Sequence, residues 1–275
     1  MKLGIVDGAF PSDWPLEKLF KTANEFGYDG VELWLSENGA VNFNSTKEDM
    51  LNVKKLADKH KISLYSLSNQ LCWNYSLTAE SEEERNSAKR IIRKQLELAS
   101  YLGCNTILVL AGAVGVDFIK DFKMVDYDVA YNRALESLKE LKEDAEKYKV
   151  NIALENVGNK FLLSPIEMKA FIDEINSPYI GVYFDVGNVM PIGYPHQWIK
   201  ILKKRIKKIH LKDYLRSEKK SVPLLMGDVD YASVIKELKN INYDDFITAE
   251  YVYNEDNYIN GNKETINAMK KIISL

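Results

Sequence analysis

The sequence predicts an α/β protein of a single domain, built as a (β/α)8 TIM barrel. Eight short apolar runs alternate with longer stretches that have the spacing of amphipathic helices. The 275 residues divided among eight runs give about 34 residues each, the size of one strand–helix unit. No GxGxxG segment follows any run, which counts against a doubly wound open sheet. No linker-like segment divides the chain, so we expect residues 1–275 to form one domain.

The apolar runs are rich in Ile, Val, Leu and Tyr, as is typical of parallel strands that are buried on both faces. They lie at 3–6, 30–35, 62–67, 106–111, 151–155, 180–185, 206–211 and 246–251. The amphipathic stretches predict helices over 16–26, 50–60, 87–102, 131–148 and 231–238. We expect Gly27 and Gly103 to end two of these helices in the left-handed conformation, and Asp230 to cap the start of another.

The composition excludes several classes of protein. With 37 Lys and Arg against 40 Asp and Glu, the chain lacks the cationic surface that nucleic-acid and membrane binders need. Its 46% of hydrophobic residues are ample for a core and exclude disorder. Two cysteines without a CxxC motif give no disulfide framework, and neither a signal peptide nor a membrane-spanning run is evident. We therefore expect a cytoplasmic protein whose partner is a small molecule.

Ionisable residues recur at the ends of four consecutive apolar runs. Glu155, Asp185 and Glu250 close the fifth, sixth and eighth runs, and His210 lies near the end of the seventh. In a barrel of this type the carboxyl ends of the strands form one face, so these side chains should meet at one mouth. Carboxylates packed so closely repel one another, and a divalent cation removes the conflict. The donor set suits Mn²⁺, Mg²⁺ or Co²⁺, and Zn²⁺ as well.

Taken alone, each of these four residues could equally have a structural role. The other candidate residues also allow both a structural and a functional interpretation. Glu32 interrupts the second run and either supports the site or substrate, or pairs with a buried Lys or Arg. Lys212 shares a strand face with His210, and Arg216 follows in the next loop. Either could hold a substrate hydroxyl or phosphate, with Arg216 suited to clamp an oxyanion, or Arg216 could be a solvated loop residue. Trp73 either forms an apolar wall of the site or belongs to ordinary packing.

Several blocks of the sequence resemble a known family. They are GYDGVELW at 27–34, FDVGN at 184–188, RIKKIHLKD at 205–213 and FITAEY at 246–251. Together with the rest of the chain, they resemble the sugar-phosphate isomerase/epimerase family of the xylose-isomerase-like TIM-barrel superfamily. The resemblance covers nearly the whole chain, and its motifs are more specific to the superfamily than to one substrate.

The resemblance implies one divalent metal ion, Mn²⁺ first among the candidates, in the barrel mouth. Matched motif by motif, its ligands would be Glu155, Asp185, His210 and Glu250. The two glutamates would also serve as the catalytic acid/base pair. Arg216 matches a substrate-contacting arginine in the ketose 3-epimerase branch.

Two positions depart from the pattern of that branch. Asn188 stands where the branch usually carries a substrate-binding histidine, three residues after the aspartate. Phe161 stands where it carries a second glutamate. Both departures count against free ketohexoses as the substrate.

The predicted function is a metal-dependent isomerase or epimerase of a sugar or sugar phosphate. It would abstract a proton beside a carbonyl through a metal-stabilised enediolate. The alternative is a metal-dependent dehydratase of a cyclic keto-polyol, of the inosose or dehydroshikimate type, which shares the first deprotonation.

Three histidines in the whole chain are too few for the trinuclear zinc site of endonuclease IV-type enzymes. Four competent ligands argue against a barrel that has lost activity, and a homo-oligomer remains open.

Overall fold

The computed structural model, which describes residues 1–253 and 257–275, confirms the predicted barrel. Its strands are β1 Lys2–Val6, β2 Gly30–Leu35, β3 Ser63–Asn69, β4 Thr106–Val109, β5 Asn151–Glu155, β6 Ile180–Asp185, β7 Ile206–Leu211, β8 Asp213–Leu215, β9 Lys220–Val222 and β10 Phe246–Ala249. Eight of them close a parallel ring in the order β1-β10-β7-β6-β5-β4-β3-β2, and β8 and β9 form a separate antiparallel hairpin. Since all eight run in one direction, their carboxyl ends share one face.

The helices cover the outside of the barrel. They are α1 Leu16–Phe26, α2 Lys47–Lys59, α3 Glu82–Leu102, α4 Tyr127–Tyr148, α5 Pro165–Ile175, α6 Val186–Val189, α7 Pro195–Leu202, α8 Tyr231–Asn240 and α9 Tyr258–Ile273. The principal core fills the layer between these helices and the outward faces of the strands. Among residues 1–253 and 257–275, no helix is both long and apolar enough to cross a membrane.

Most predicted elements match the structure, and the differences lie at their ends. Helices α2, α3 and α4 begin three to five residues earlier than predicted, and the first turns of α2 and α3 are charged and carry no apolar spacing. Thr46 and Ser81 cap two of these turns with their hydroxyl groups. Gly27 and Gly103 adopt the expected positive φ angles of 95° and 82°, and Asp230 accepts a hydrogen bond from the backbone of α8 as predicted.

Three strand ends differ from the prediction. β3 extends to residue 69, whereas β4 ends at residue 109 and β10 at residue 249. The chain leaves β4 toward Gly112, whose φ of 117° is unavailable to a regular strand. Glu250 therefore lies one residue beyond β10, although its backbone N–H still donates to the carbonyl of Leu211 at 3.1 Å. The β8–β9 hairpin occupies a segment that the sequence pattern leaves as a loop.

The barrel interior carries polar side chains in two layers below the mouth. In the lower layer the ring of Tyr65 stacks on Phe246 with centroids 3.8 Å apart, and its hydroxyl bonds Thr248 Oγ1 at 2.8 Å. The fully buried Lys208 pairs there with Asp245. The upper layer is built around Glu32 and lies directly beneath the mouth. The mouth thus rests on a packed polar floor.

Gly187 brings the short helix α6 against the end of β7. A Cβ at this position would lie 2.4 Å from the Cβ of Lys212 and 3.2 Å from its carbonyl carbon. Such contacts are far shorter than van der Waals distances, so the glycine permits the close approach of two segments that carry site residues.

We expect Gly187→Ala to destabilise the protein by about 1–3 kcal/mol, because the added methyl group overpacks this contact. Urea unfolding would measure the change. Gly158→Ala is the matched control, since a Cβ there has no neighbour within 4 Å. Equal stability of the two variants would contradict the argument.

Candidate metal centre and active site

Four side chains from four neighbouring strands meet at the mouth of the barrel. Glu155 ends β5, Asp185 ends β6, His210 lies in β7 and Glu250 follows β10. Each offers one ligand atom, and these atoms all lie within 4.8 Å of one another. The sheet register explains this convergence: Asp185 and His210 are direct partners across β6 and β7. The sequence-predicted ligand set is therefore one cluster in space.

The cluster contains three buried polar atoms that have no hydrogen-bond partner. They are Asp185 Oδ2, His210 Nδ1 and Glu250 Oε2. Nδ1 approaches Glu250 Oε2 to 2.6 Å without the alignment of a hydrogen bond. Their polar neighbours are ion-pair partners within the cluster and Lys212, without an aligned hydrogen bond, and the three atoms share one small space. Carboxylate oxygens and an imidazole nitrogen are suitable ligands for a divalent cation, so the residues present fit such an ion.

Lys212 is the one lysine that reaches the cluster in the part of the chain described. Its Nζ lies 3.0 Å from both Asp185 Oδ2 and Glu250 Oε2. The side chain therefore points into the mouth, as strand alternation from His210 predicts. A single ammonium group offsets only part of the negative charge of three carboxylates.

The two glutamates have unequal surroundings. Burial, followed by the charge of Glu250, raises the pKa of Glu155 to about 8. Burial also acts to raise the pKa of Glu250, but Lys212 and His210 outweigh it and hold that pKa well below its usual range. For His210, burial opposes the charged form, yet Glu250 and Glu32 raise its pKa well above the ordinary value. The cluster thus holds one carboxyl that retains a proton readily and one that does not.

Two asparagines hold the cluster in place, Asn156 through the backbone of Asp185 and Asn188 through carboxylate oxygens. The Asp185 backbone N–H donates to Asn156 Oδ1 at 2.9 Å, and Asn156 Nδ2 donates to the Asp185 carbonyl at 2.8 Å. Asn188 Nδ2 donates to Glu155 Oε1 at 3.1 Å. The backbone N–H of Asn188 donates to Asp185 Oδ1 at 2.8 Å, so this residue links two members of the cluster. Asn188 therefore reaches the site through a carboxylate.

Glu32 lies directly beneath the cluster and is fully buried. Its Oε2 accepts hydrogen bonds from Ser66 Oγ at 2.5 Å and from the hydroxyl of Tyr183. Its Oε1 lies 3.1 Å from His210 Nε2. Within residues 1–253 and 257–275, no Lys or Arg nitrogen forms an ion pair with it. The contacts of Glu32 are thus with a member of the cluster and two hydroxyl groups.

An apolar wall flanks Glu155. Trp73, Cys72 and Val157 pack against a small buried group from the neighbouring strands, which consists of Leu108, Leu110, Ala153 and Tyr183. Trp73 also meets Phe118 edge-to-face, with ring centroids 5.0 Å apart. Trp73 thus packs on this apolar group, and its role as a wall of the site remains a prediction.

Arg216 lies on the β8–β9 hairpin, at the rim. Its guanidinium donates to the Gly193 carbonyl at 2.9 Å and lies over the ring of Tyr194 at 5.3 Å. In the described residues it forms no ion pair with the cluster. The sequence prediction of a substrate contact thus remains a prediction.

A cavity of about 630 Å³ opens over the ends of β1, β2 and β3. Its lining mixes aromatic, amide and aliphatic side chains with two acids, and among the residues described no Lys or Arg contributes to it. The lining includes Phe10, Trp14, Trp34, Asn38 and Asn74. A cavity of this size and mixed polarity is typical of a site for a small neutral or partly neutral ligand.

Asp7 lies in the lining of this cavity, and the sequence reasoning did not select it. Its Oδ2 accepts a hydrogen bond from the Trp34 backbone at 2.9 Å. Burial, together with the nearby charge of Glu32, raises its pKa to about 7 despite that bond. The signal was present in the sequence, because Asp7 follows the first apolar run just as an acid ends the fifth.

We expect Asp7→Asn to change the pH dependence of stability. The folded protein retains the Asp7 proton up to about pH 7, whereas the unfolded chain loses it near the ordinary pKa. The free energy of unfolding of the wild type therefore falls as the pH rises from about 4 to about 7. The variant has no carboxyl group at this position and does not show this fall. The pH-dependent difference in free energy of unfolding between the two proteins is at most about 4 kcal/mol, and contact of Asp7 with solvent reduces it. Urea unfolding at pH 4.5 and pH 8 would measure it, and a difference that does not grow with pH would refute the assignment.

The structure is a (β/α)8 barrel whose carboxyl face carries an acid–histidine cluster that could hold a metal ion. Comparison with known sequences agrees: a profile of the xylose isomerase-like TIM-barrel family matches residues 20–272. The chain belongs to this family, which confirms the resemblance seen in the sequence.

Individual relatives share the barrel and much of its length. A putative L-ribulose-5-phosphate 3-epimerase of Escherichia coli strain K12 is 28% identical over 264 residues, covering 88% of this chain and 85% of the relative. An L-ribulose-5-phosphate 3-epimerase of Salmonella paratyphi A is 25% identical over 254 residues, covering 88% and 84%. The crystal structure of D-psicose 3-epimerase with D-tagatose, from Clostridium cellulolyticum H10, superimposes with a TM-score of 0.84 at 14% identity over 99% of both chains.

Proposed function

We propose that the protein is a divalent-metal-dependent 3-epimerase of a ketose or ketose phosphate. The observation that carries the proposal is the cluster of Glu155, Asp185, His210 and Glu250, with its three buried atoms that lack hydrogen-bond partners. The relatives named 3-epimerases favour epimerisation over aldose–ketose isomerisation. The same four side chains would hold the ion, for which Mn²⁺ is the first candidate.

The ion would supply charge stabilisation to the oxyanion that forms when the carbon beside the carbonyl loses its proton. The remaining tasks belong to the chain. One glutamate must remove the proton from that carbon, and the other must return a proton to the opposite face.

The strand order is consistent with one glutamate removing the proton and the other returning it to the opposite face. Glu155 and Glu250 come from β5 and β10, the outer two of the four strands, with β6 and β7 between them. Three steps around a ring of eight place the two glutamates across the mouth from each other. A planar intermediate held between them would have one carboxyl group on each face.

The unequal environments of the glutamates support opposite starting states. Lys212 and His210 surround Glu250 with positive charge and favour its carboxylate form. Glu155 instead contacts the neutral amide of Asn188 and lies beside the apolar wall. In an epimerase one group begins as the base and the other as the acid.

The surroundings of the cluster would bind and shield the substrate. The wall that includes Trp73 would limit the access of water to the reacting carbon. The cavity lined by Trp14 and Trp34 would take the remainder of the sugar. Arg216 at the rim is proposed as a contact to a substrate oxygen or phosphate. A cytoplasmic location and a homo-oligomer stay predictions.

We expect Glu155→Gln and Glu250→Gln each to lower kcat by about 10²–10⁴-fold, because each removes one member of the acid/base pair while keeping an oxygen ligand. The assay would incubate Mn²⁺-loaded protein with ketoses and ketose phosphates in D₂O and follow carbon 3 by NMR. Glu143→Gln, an exposed change on α4, is the matched control and should retain full activity.

The same experiment separates the competing reactions. A two-base epimerase with one glutamate removed should exchange the carbon-3 proton of one epimer for deuterium without forming the other epimer. Deuterium at carbon 1 or 2 with an aldose product would indicate an isomerase. Loss of water from a cyclic keto-polyol, with no exchange in any ketose, would indicate the dehydratase. Full activity of both variants would overturn the proposal.

We expect a divalent cation to stabilise the folded protein, because it relieves the repulsion among the clustered carboxylates. At a free ion concentration of 100 times Kd, the gain is about 2.7 kcal/mol. Thermal unfolding of chelator-treated protein with and without added Mn²⁺ would measure it. Asp185→Asn should reduce the gain sharply, and an unchanged Tm in the wild type would contradict the metal site.

A further inference from the structure

We propose that Glu32 is a positioning residue of the metal centre, which determines the nitrogen that His210 presents to the ion. The inference rests on the metal site of the proposed function. Glu32 would be a fifth side chain of that site, in addition to the four that would bind the ion. Glu32 would act through His210 and would contact neither the ion nor the substrate. This role replaces the direct substrate contact that the sequence left open for this residue.

The contact between Glu32 and His210 selects one form of the imidazole ring. A ring nitrogen can bind a metal ion only through a free lone pair, so the other nitrogen must carry the proton. Glu32 Oε1 lies 3.1 Å from Nε2, and a carboxylate there accepts a hydrogen bond from N–H. The proton is thereby held on Nε2, and Nδ1 faces the cluster, 2.6 Å from Glu250 Oε2.

Glu32 is itself held in one orientation. Ser66 Oγ and the Tyr183 hydroxyl both donate to Oε2, which leaves Oε1 for His210. Rotation of the carboxylate would leave two buried hydroxyl groups without their acceptor, at a cost in free energy. The ring of Tyr183 also packs against the imidazole of His210, with centroids 4.4 Å apart. Three side chains therefore fix the ring from below.

The charge of Glu32 also points toward the metal centre. A buried carboxylate is costly unless a positive charge compensates it. In the described residues no Lys or Arg forms an ion pair with Glu32, and its one ion-pair contact is with His210. By contrast, the buried Lys208 in the layer below has its own partner, Asp245. The compensation for Glu32 must therefore come from the cluster above, through His210.

Partners of this kind to a metal-bound histidine raise its basicity, and their loss commonly costs 10–100-fold in metal affinity. We accordingly expect Glu32→Gln to weaken Zn²⁺ binding by about 10–100-fold. The measurement is competition with a chromophoric chelator, in the absence of any sugar. Zn²⁺ is the probe because it is diamagnetic and suits the second readout.

Two tyrosines provide a matched pair of variants. Tyr183→Phe removes a hydrogen bond to Glu32 without touching a ligand, and should weaken Zn²⁺ binding several-fold. Tyr65→Phe removes an equally buried hydroxyl from the same barrel interior, but its partner is Thr248. Tyr65→Phe should leave the affinity unchanged. If Glu32→Gln fails to fold, this pair still decides the question.

Nitrogen-15 NMR of the histidine rings supplies the second readout, and only three histidines need assignment. In the Zn²⁺-loaded wild type, His210 should show a metal-bound Nδ1 and a protonated, slowly exchanging Nε2. In Glu32→Gln the Nε2 proton should exchange faster.

Unchanged affinity and exchange in Glu32→Gln, or equal losses in the two tyrosine variants, would overturn the proposal. Both readouts are made without substrate. A protein that passes them but epimerises no sugar would therefore refute only the proposed function.

Discussion

The structure depends on one electrostatic constraint, the concentration of carboxylates at the mouth of the barrel. Glu155, Asp185 and Glu250 meet within a few ångströms, and Glu32 lies directly below them. Lys212 is the lysine that reaches this group in the residues described, and His210 is the other basic side chain in contact with it. Under the proposed function a divalent cation would add to this compensation, and each of the four side chains offers it one ligand atom.

The barrel holds these carboxylates close together in spite of their mutual repulsion. Its strands fix the backbone at the mouth through ladder hydrogen bonds, and the buried layers below prevent the side chains from turning away. Asn156 bonds the backbone of Asp185 and Asn188 bonds the carboxylate of Glu155, while Ser66 and Tyr183 act from below through Glu32. Repulsion that would separate free carboxylates is thus opposed by a rigid frame, which is the condition for a preorganised site.

The same frame gives the two glutamates different tendencies to hold a proton. Glu250 lies among positive groups and Glu155 among neutral and apolar ones, although the two belong to one cluster. Chemically identical side chains can therefore take complementary roles in proton transfer. The difference arises from neighbours on separate strands, and it would be lost if Lys212 pointed out of the barrel.

The sequence by itself determined the barrel and the four residues that cluster at its mouth. Eight apolar runs at regular spacing specify parallel strands, and an ionisable residue at the end of a strand must lie at the mouth once the barrel closes. That argument located Glu155, Asp185, His210 and Glu250 without coordinates. Only the tertiary structure decided what lies beneath and around them. Ser66 and Asp7 are far from the cluster along the chain, and Tyr183, although two residues before Asp185, meets Glu32 only through the packing of the barrel interior. The pattern of one strand does not encode its alignment with another, and for this reason the partners of Glu32 could not be predicted.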